Sequence, residues 1–154
     1  MRLIPGLERA QFLRYGVMHR NTFVHAPRVL DATFALRSQS RVRLAGQLTG
    51  TEGYAEAAMS GLIGALNTWA DLTGAEPVVL PPTTAFGALS AYATDPETSG
   101  YQPMHVNFGI LEPLPARVRG KRERYAAYAT RAHSDLDAWL GSRPDILGSA
   151  THHG

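Results

Sequence analysis

Apolar residues return at every third or fourth position over residues 52–73, where Ala55, Met59, Leu62, Leu66 and Trp69 draw one stripe. That period predicts a helix. Thr49 and Glu52 fit a capping box at its start, Thr51 is an equally good N-cap, and Gly74 followed by Pro77 closes the element. Beside the stripe lie Ala57, Ser60, Gly61, Gly64 and Ala65. Each interior glycine costs about 1 kcal/mol against alanine in a helix, so the cluster predicts close backbone approach to a sheet or a ligand. A shorter helix starts at Thr83 or Thr84, runs through Phe86, Leu89 and Tyr92, and stops at Asp95-Pro96. A third, over residues 120–140, carries Tyr125, Tyr128, Ala132, Leu136, Trp139 and Leu140 on one side, with Gly141 and Pro144 beyond it.

Alternation replaces the helical period in TFALRSQSRVRLAG, which reads as strand, polar turn at Ser38 to Ser40, and strand. Val42 and Leu44 alternate with Arg41 and Arg43, so burial is expected to deepen toward Ala45 and Gly46. Residues 11–24 suggest short extended segments, Ala26, Pro27 and Asp31 a turn, and HVNFGILEPLP a further extended segment. The tail DILGSATHHG reads as frayed, giving one unit over residues 1–141 and a tail over 142–154.

With 154 residues and 44% hydrophobic content, one domain with a buried core is expected. No run of about 18 apolar residues is present, and the N-terminus lacks the apolar stretch of a signal peptide, which points to a cytoplasmic protein. The absence of cysteine excludes disulfides, thiolate zinc sites and a cysteine nucleophile in this chain. Charge is segregated: residues 1–44 hold eight arginines against Glu8 and Asp31, and residues 45–116 hold seven acids and no Lys or Arg. A basic first third could face phosphate, since arginine forks match phosphate oxygens, or it could be a solvated face.

The strand that ends near Gly46 turns through Gly50 and Gly53 into the long helix, the layout of a nucleotide-phosphate cradle. Gln47 and Thr49 offer hydrogen-bonding groups there, and Tyr54 a flat ring one turn in. A ligand-free connection of strand to helix would have the same spacing, and the loop is neither the dinucleotide fingerprint nor a Walker loop. His133, Ser134 and Asp135 fan out by about 100° per residue on a helix and cannot form a triad. His19 with His25, or His152 with His153, lack nearby acidic or thiolate partners, so no metal site is expected.

Four blocks, IPGLERAQFLRYGVMHRNTFV, AGQLTGTEGYAEAAMSGLIGALN, PVVLPPTTAFGALSAYATDP and QPMHVNFGILEPLP, together resemble the C-terminal part of the folate- and FAD-dependent tRNA uracil-5-methyltransferases. The related tRNA wobble-uridine carboxymethylaminomethyl-modifying flavoprotein shares a loop similar to GQLTGTEGY, but the second half of the chain favours the methyltransferase. The resemblance implies an α/β fold, the closing portion of an FAD-binding Rossmann-type domain with helices on a small sheet, incomplete relative to the family. It implies methyl transfer to C5 of the T-loop uridine of tRNA, with FAD as cofactor and NAD(P)H and methylenetetrahydrofolate as co-substrates. It places Gly46, Gln47, Thr49, Gly50, Gly53 and Tyr54 against FAD, with Tyr54 beside the flavin. Arg14 and Arg20 are the candidate tRNA contacts.

Two departures stand out. The family's N-terminal strand, G-x-G-x-x-G and helix, and its cysteines, have no counterpart here, so the chain is expected to be a fragment or a late-starting product that needs the missing N-terminal half. The competing expectation is a non-catalytic remnant or RNA-binding piece. Thr51 stands where the family usually has an apolar residue, and His105 where asparagine is usual.

Overall fold

The computed structural model describes residues 4–6, 8–11 and 22–147. Along them follow α1 (Ala26–Val29), β1 (Ala35–Leu36), β2 (Gln39–Arg43), a 3-10 turn over Gly46–Thr49, α2 (Tyr54–Thr73), α3 (Ala85–Thr94), α4 (Lys121–Gly141) and α5 (Pro144–Leu147). This is a small α/β arrangement, with one antiparallel two-stranded sheet and packed helices. Most of the segment expected to be extended over residues 11–24, with Arg14 and Arg20, lies outside the described residues.

The hairpin pairs Ala35 with Arg43 and Leu36 with Gln39, with an irregularity between them. Its approach is held by Asp31, whose carboxylate accepts the Thr33 and Ala35 amides and the Thr33 hydroxyl. That grip sustains a left-handed backbone at buried Phe34 (φ 61°), a conformation that L residues adopt at a cost of about 1–2 kcal/mol. Burial does not deepen along β2 as the alternation predicts: Ala45 is exposed and Gly46 half-buried. Instead Arg43 crosses to α2, where its guanidinium pairs with Asp71 at 2.7 Å.

The expected capping box at Thr49 and Glu52 does not form. Gly53 is the N-cap of α2, with φ 101°, and helical residues begin at Tyr54. At the other end Gly74 is left-handed and donates its N–H to the Ala70 carbonyl, as the glycine stop predicts. Thr84 caps α3 as expected, its hydroxyl accepting the Gly87 N–H at 3.1 Å. Gly87 has no room for a side chain, because a Cβ there would lie 1.9 Å from the Pro81 carbonyl oxygen.

The core joins Ala26, Leu30, Phe34, Ile63, Val78, Ala93 and Tyr101. The face of α2 that enters it is Ser60, Ile63, Gly64, Asn67 and Ala70, whereas Leu62 and Trp69 of the predicted stripe are exposed. The reason is Asn67. Its amide donates to the Ile63 and Val78 carbonyls at 3.0 and 2.8 Å, and its oxygen accepts the Val78 N–H at 2.8 Å. A polar side chain thus stands in for a strand neighbour and draws the chain at Val78 onto the helix.

Two arginines fasten the C-terminal helices. Arg131 donates to the Glu112 and Pro113 carbonyls, pinning that segment to α4. Buried Arg143 donates to the Glu76 and Pro77 carbonyls, both at 2.8 Å, and forks onto Asp145. That hydrogen-bonded guanidinium holds the Asp145 carboxyl below its ordinary range. Among the described residues no helix is long and apolar enough to cross a membrane.

Candidate functional site

Three left-handed glycines shape the connection into α2: Gly46 (φ 66°), Gly50 (φ 81°) and Gly53 (φ 101°). Between the first two, a buried hydroxyl network closes the turn. The Thr49 and Thr51 hydroxyls donate to the Gly46 carbonyl at 2.7 and 3.0 Å, while the Gly46 N–H donates to the Ser60 hydroxyl at 2.6 Å. The Ser60 hydroxyl in turn donates to the Ala57 carbonyl at 2.8 Å. The Thr49, Thr51 and Ser60 hydroxyls all have partners, which is the condition for a buried polar network to rigidify a loop.

A second contact fixes the loop from outside α2. Glu52 N–H donates to the Met104 carbonyl and Met104 N–H to the Gly50 carbonyl, both at 3.0 Å, forming a parallel bridge between Thr51 and Met104. The segment expected to be extended over residues 105–115 starts just after this bridge and forms no strand or bridge of its own. Buried Tyr101 donates its hydroxyl to the Thr49 carbonyl and packs on Tyr92 and His25 at ring distances of 5.4 and 5.7 Å. Burial, with Tyr92 beside it, pushes the Tyr101 hydroxyl up to about 12, so it stays protonated and donating at neutral pH.

These supports leave one side of the loop open. Gln47, Thr51, Gly53, Tyr54 and Ala57 line a cleft of about 320 Å³, at the lower end of the size range of small-molecule sites. Tyr54 is 99% exposed, a ring that packs against nothing in the core. Of the six residues singled out, Gln47, Gly53 and Tyr54 meet in this cleft. Gly46 is half-buried next to it, and Thr49 and Gly50 are turned inward. Thr51, Ser60 and Tyr101, which support or line the site, are not among the six. The hydroxyls of Thr51 and Ser60 look like ordinary loop and helix residues, and Tyr101 is some fifty residues away along the chain.

The small residues of α2 meet less than expected. A Cβ at Gly61 or Gly64 would touch no described atom within 4 Å. The outer face of the same helix shows Tyr54, Leu62, Trp69 and Leu72, of which Leu72 is 83% exposed. No cluster of three or more metal-binding side chains occurs among the described residues.

The matches to known proteins extend across this loop and helix. Residues 1–76 match the family described as glucose inhibited division protein A. Over 139 residues, 90% of this chain, it is 52% identical to a methylenetetrahydrofolate–tRNA-(uracil-5-)-methyltransferase from Acetivibrio thermocellus, covering 32% of that protein. A relative of the same name from Streptococcus agalactiae is 51% identical over 90% of this chain and 31% of its own length. A third, from Lysinibacillus sphaericus, is 47% identical over 143 residues, 93% of this chain and 33% of its own length. Over nine tenths of its length the chain is thus similar to methylenetetrahydrofolate–tRNA-(uracil-5-)-methyltransferases. It spans about a third of the length of the curated methyltransferases it matches.

Proposed function

We propose that this chain supplies the flavin-facing wall of a folate- and FAD-dependent enzyme that methylates C5 of the T-loop uridine in tRNA. The observation that carries the reading is the free Tyr54 ring at the head of α2, beside Gln47 and Gly53 in the open cleft. The residues fit a flat, electron-rich cofactor. Gly53 lacks a side chain where the backbone must approach closely, the head of α2 carries the positive end of the helix dipole, and Tyr54 offers a stacking face. Gln47 would orient the ring edge by hydrogen bonding. Gly46, Thr49 and Gly50 would act one step back, holding the turn rigid through the hydroxyl network.

FAD, when bound, supplies the reducing equivalents, drawn from NAD(P)H, that turn the folate-borne methylene into a methyl group. Tyr54 would exclude water from one side of that chemistry and fix the ring plane. The remaining two thirds of the family's length would bring the dinucleotide-binding half of a Rossmann-type domain and the cysteines. Its seat would be the exposed Leu62, Trp69 and Leu72 face of α2, where the uncrowded Gly61 leaves room for close packing. Arg14 and Arg20, outside the described residues, remain proposed tRNA contacts, and a cytoplasmic location follows from the substrate. The related wobble-uridine-modifying flavoprotein is the second reading, favoured only by the shared glycine loop.

The test places this chain in the Acetivibrio thermocellus relative, in exchange for the matching third. Tyr54→Ala in that chimera is expected to lower methyl transfer to tRNA about tenfold or more, with melting temperature and soluble yield unchanged. An insoluble variant, or one with full methyl transfer, contradicts the role. A non-catalytic remnant would show itself by a wild-type chimera that folds and transfers no methyl group.

A further inference from the structure

A second cleft, of about 420 Å³, opens between the head of α3, the segment around Phe108 and the inner face of α4. Its wall is aromatic. Phe108 stacks on Tyr125 with ring centroids 4.1 Å apart and planes within 4°, and Tyr128 closes the cluster at 5.4 Å. Phe108 is nonetheless 45% exposed, so one face of the stack is open. Cations surround the rings: Lys121 and Arg124 lie 5.6 and 5.8 Å from the Tyr125 centroid, and Arg131 lies 5.3 Å from that of Tyr128. The Thr83 hydroxyl, which also lines this cleft, is cut off from solvent and has no hydrogen-bond partner among the described residues.

Charge next to the cleft is one-sided. Arg117, Arg119, Lys121, Arg122 and Arg124 are all exposed, with Glu123 the single acid in that run. Among the described residues none of the five is in an ion pair, since the bridges formed are Arg43–Asp71 and Arg143–Asp145. A cationic run alone suits any polyanion. An open aromatic stack beside it suits a polyanion that carries flat rings, and single-stranded nucleic acid is recognised through that combination of phosphate contacts and base stacking.

We propose that the Phe108–Tyr125–Tyr128 cleft and the Arg117–Arg124 run form an RNA-binding face, on which an unpaired base stacks on Phe108 while the basic run holds the flanking phosphates. The class of partner rests on the tRNA-methyltransferase reading above; the site itself is separate from the Gly46–Tyr54 cleft. Arg131 extends the cationic rim along α4.

The experiment measures binding of the 154-residue chain to a uridine-containing RNA stem-loop and to the fully paired stem, as a function of salt. Arg119→Gln and Arg122→Gln are each expected to reduce the log–log salt slope by about 0.7–0.9, and Arg41→Gln, an exposed cation on β2, to leave it unchanged. Phe108→Leu is expected to weaken stem-loop binding about tenfold, with stem binding and salt slope unchanged, and Phe108→Tyr to restore it. Absence of RNA binding at low salt overturns the proposal. So does equal binding of stem and stem-loop with no effect of Phe108→Leu, which marks a face for phosphate alone, and so does equal loss of slope in Arg41→Gln. Because binding is read without flavin, failure of the Gly46–Tyr54 site leaves this test standing. A chimera that transfers methyl groups normally with both Arg119→Gln and Phe108→Leu in place overturns this inference and spares the flavin reading.

Discussion

Asn67→Ala is expected to lower the unfolding free energy by about 3–6 kcal/mol, enough to leave much of the chain unfolded at ordinary temperature. Asn67 is 1% exposed and Val78 fully buried. Truncation strands the Val78 N–H and carbonyl, which lose partners at 2.8 Å in a place water does not reach. Each orphaned group costs about 1–3 kcal/mol, and the emptied volume next to Ile63 adds to that. Asn67→Asp separates hydrogen bonding from shape. A carboxylate accepts the Val78 N–H but turns a second oxygen toward the Ile63 and Val78 carbonyls, so this variant is expected to be unstable at neutral pH and to recover in part on acidification. Urea unfolding of the chain provides the check, and a loss under about 1 kcal/mol for Asn67→Ala would mean that the segment at Val78 is held by something else.

Gly50→Ala is expected to cost about 2–5 kcal/mol, combining strain at a left-handed position with a clash. A Cβ at Gly50 would lie 2.0 Å from the Tyr101 hydroxyl and 2.9 Å from its Cζ. The φ of 81° also disfavours any L side chain. Tyr101 is wedged against Tyr92 and His25 and cannot simply swing away. Tyr101→Phe alone removes the bond to the Thr49 carbonyl and costs about 1 kcal/mol. The double variant is expected to be more stable than the two single losses summed, because the oxygen that collides with the new methyl group is gone. Strict additivity in thermal unfolding would show that the strain is in the backbone alone.

Periodicity and caps made the three long helices legible, because each ends on chemistry written locally: Gly74 past α2, Thr84 before α3 and Gly141 at the end of α4. The buried face of α2 was hidden because an apolar count assigns Leu62 and Trp69 to the core and Asn67 to water. The true arrangement depends on a backbone pair at Val78 that no local pattern announces. At the candidate site, glycine spacing pointed to the loop, and the positive φ angles at Gly46, Gly50 and Gly53 give the physical reason for that spacing. The sorting within it, Gln47, Gly53 and Tyr54 outward and Thr49 and Gly50 inward, depends on Tyr101 and on the Met104 bridge, both distant in sequence. The exposed Leu62, Trp69 and Leu72 belong to the same lesson, since a pattern shows that a surface is apolar and not which polypeptide covers it.

The most direct test of the Gly46–Tyr54 loop as a flavin wall is the flavin content of purified protein, compared between the 154-residue chain and its chimera with the remaining two thirds of the Acetivibrio thermocellus relative. The expected result is stoichiometric flavin in the chimera and little or none in the chain alone, because on the proposed reading the pyrophosphate-holding loop would lie in the added part. A folded chimera without flavin, or one whose flavin absorbance spectrum is unchanged by Tyr54→Ala, would contradict that placement.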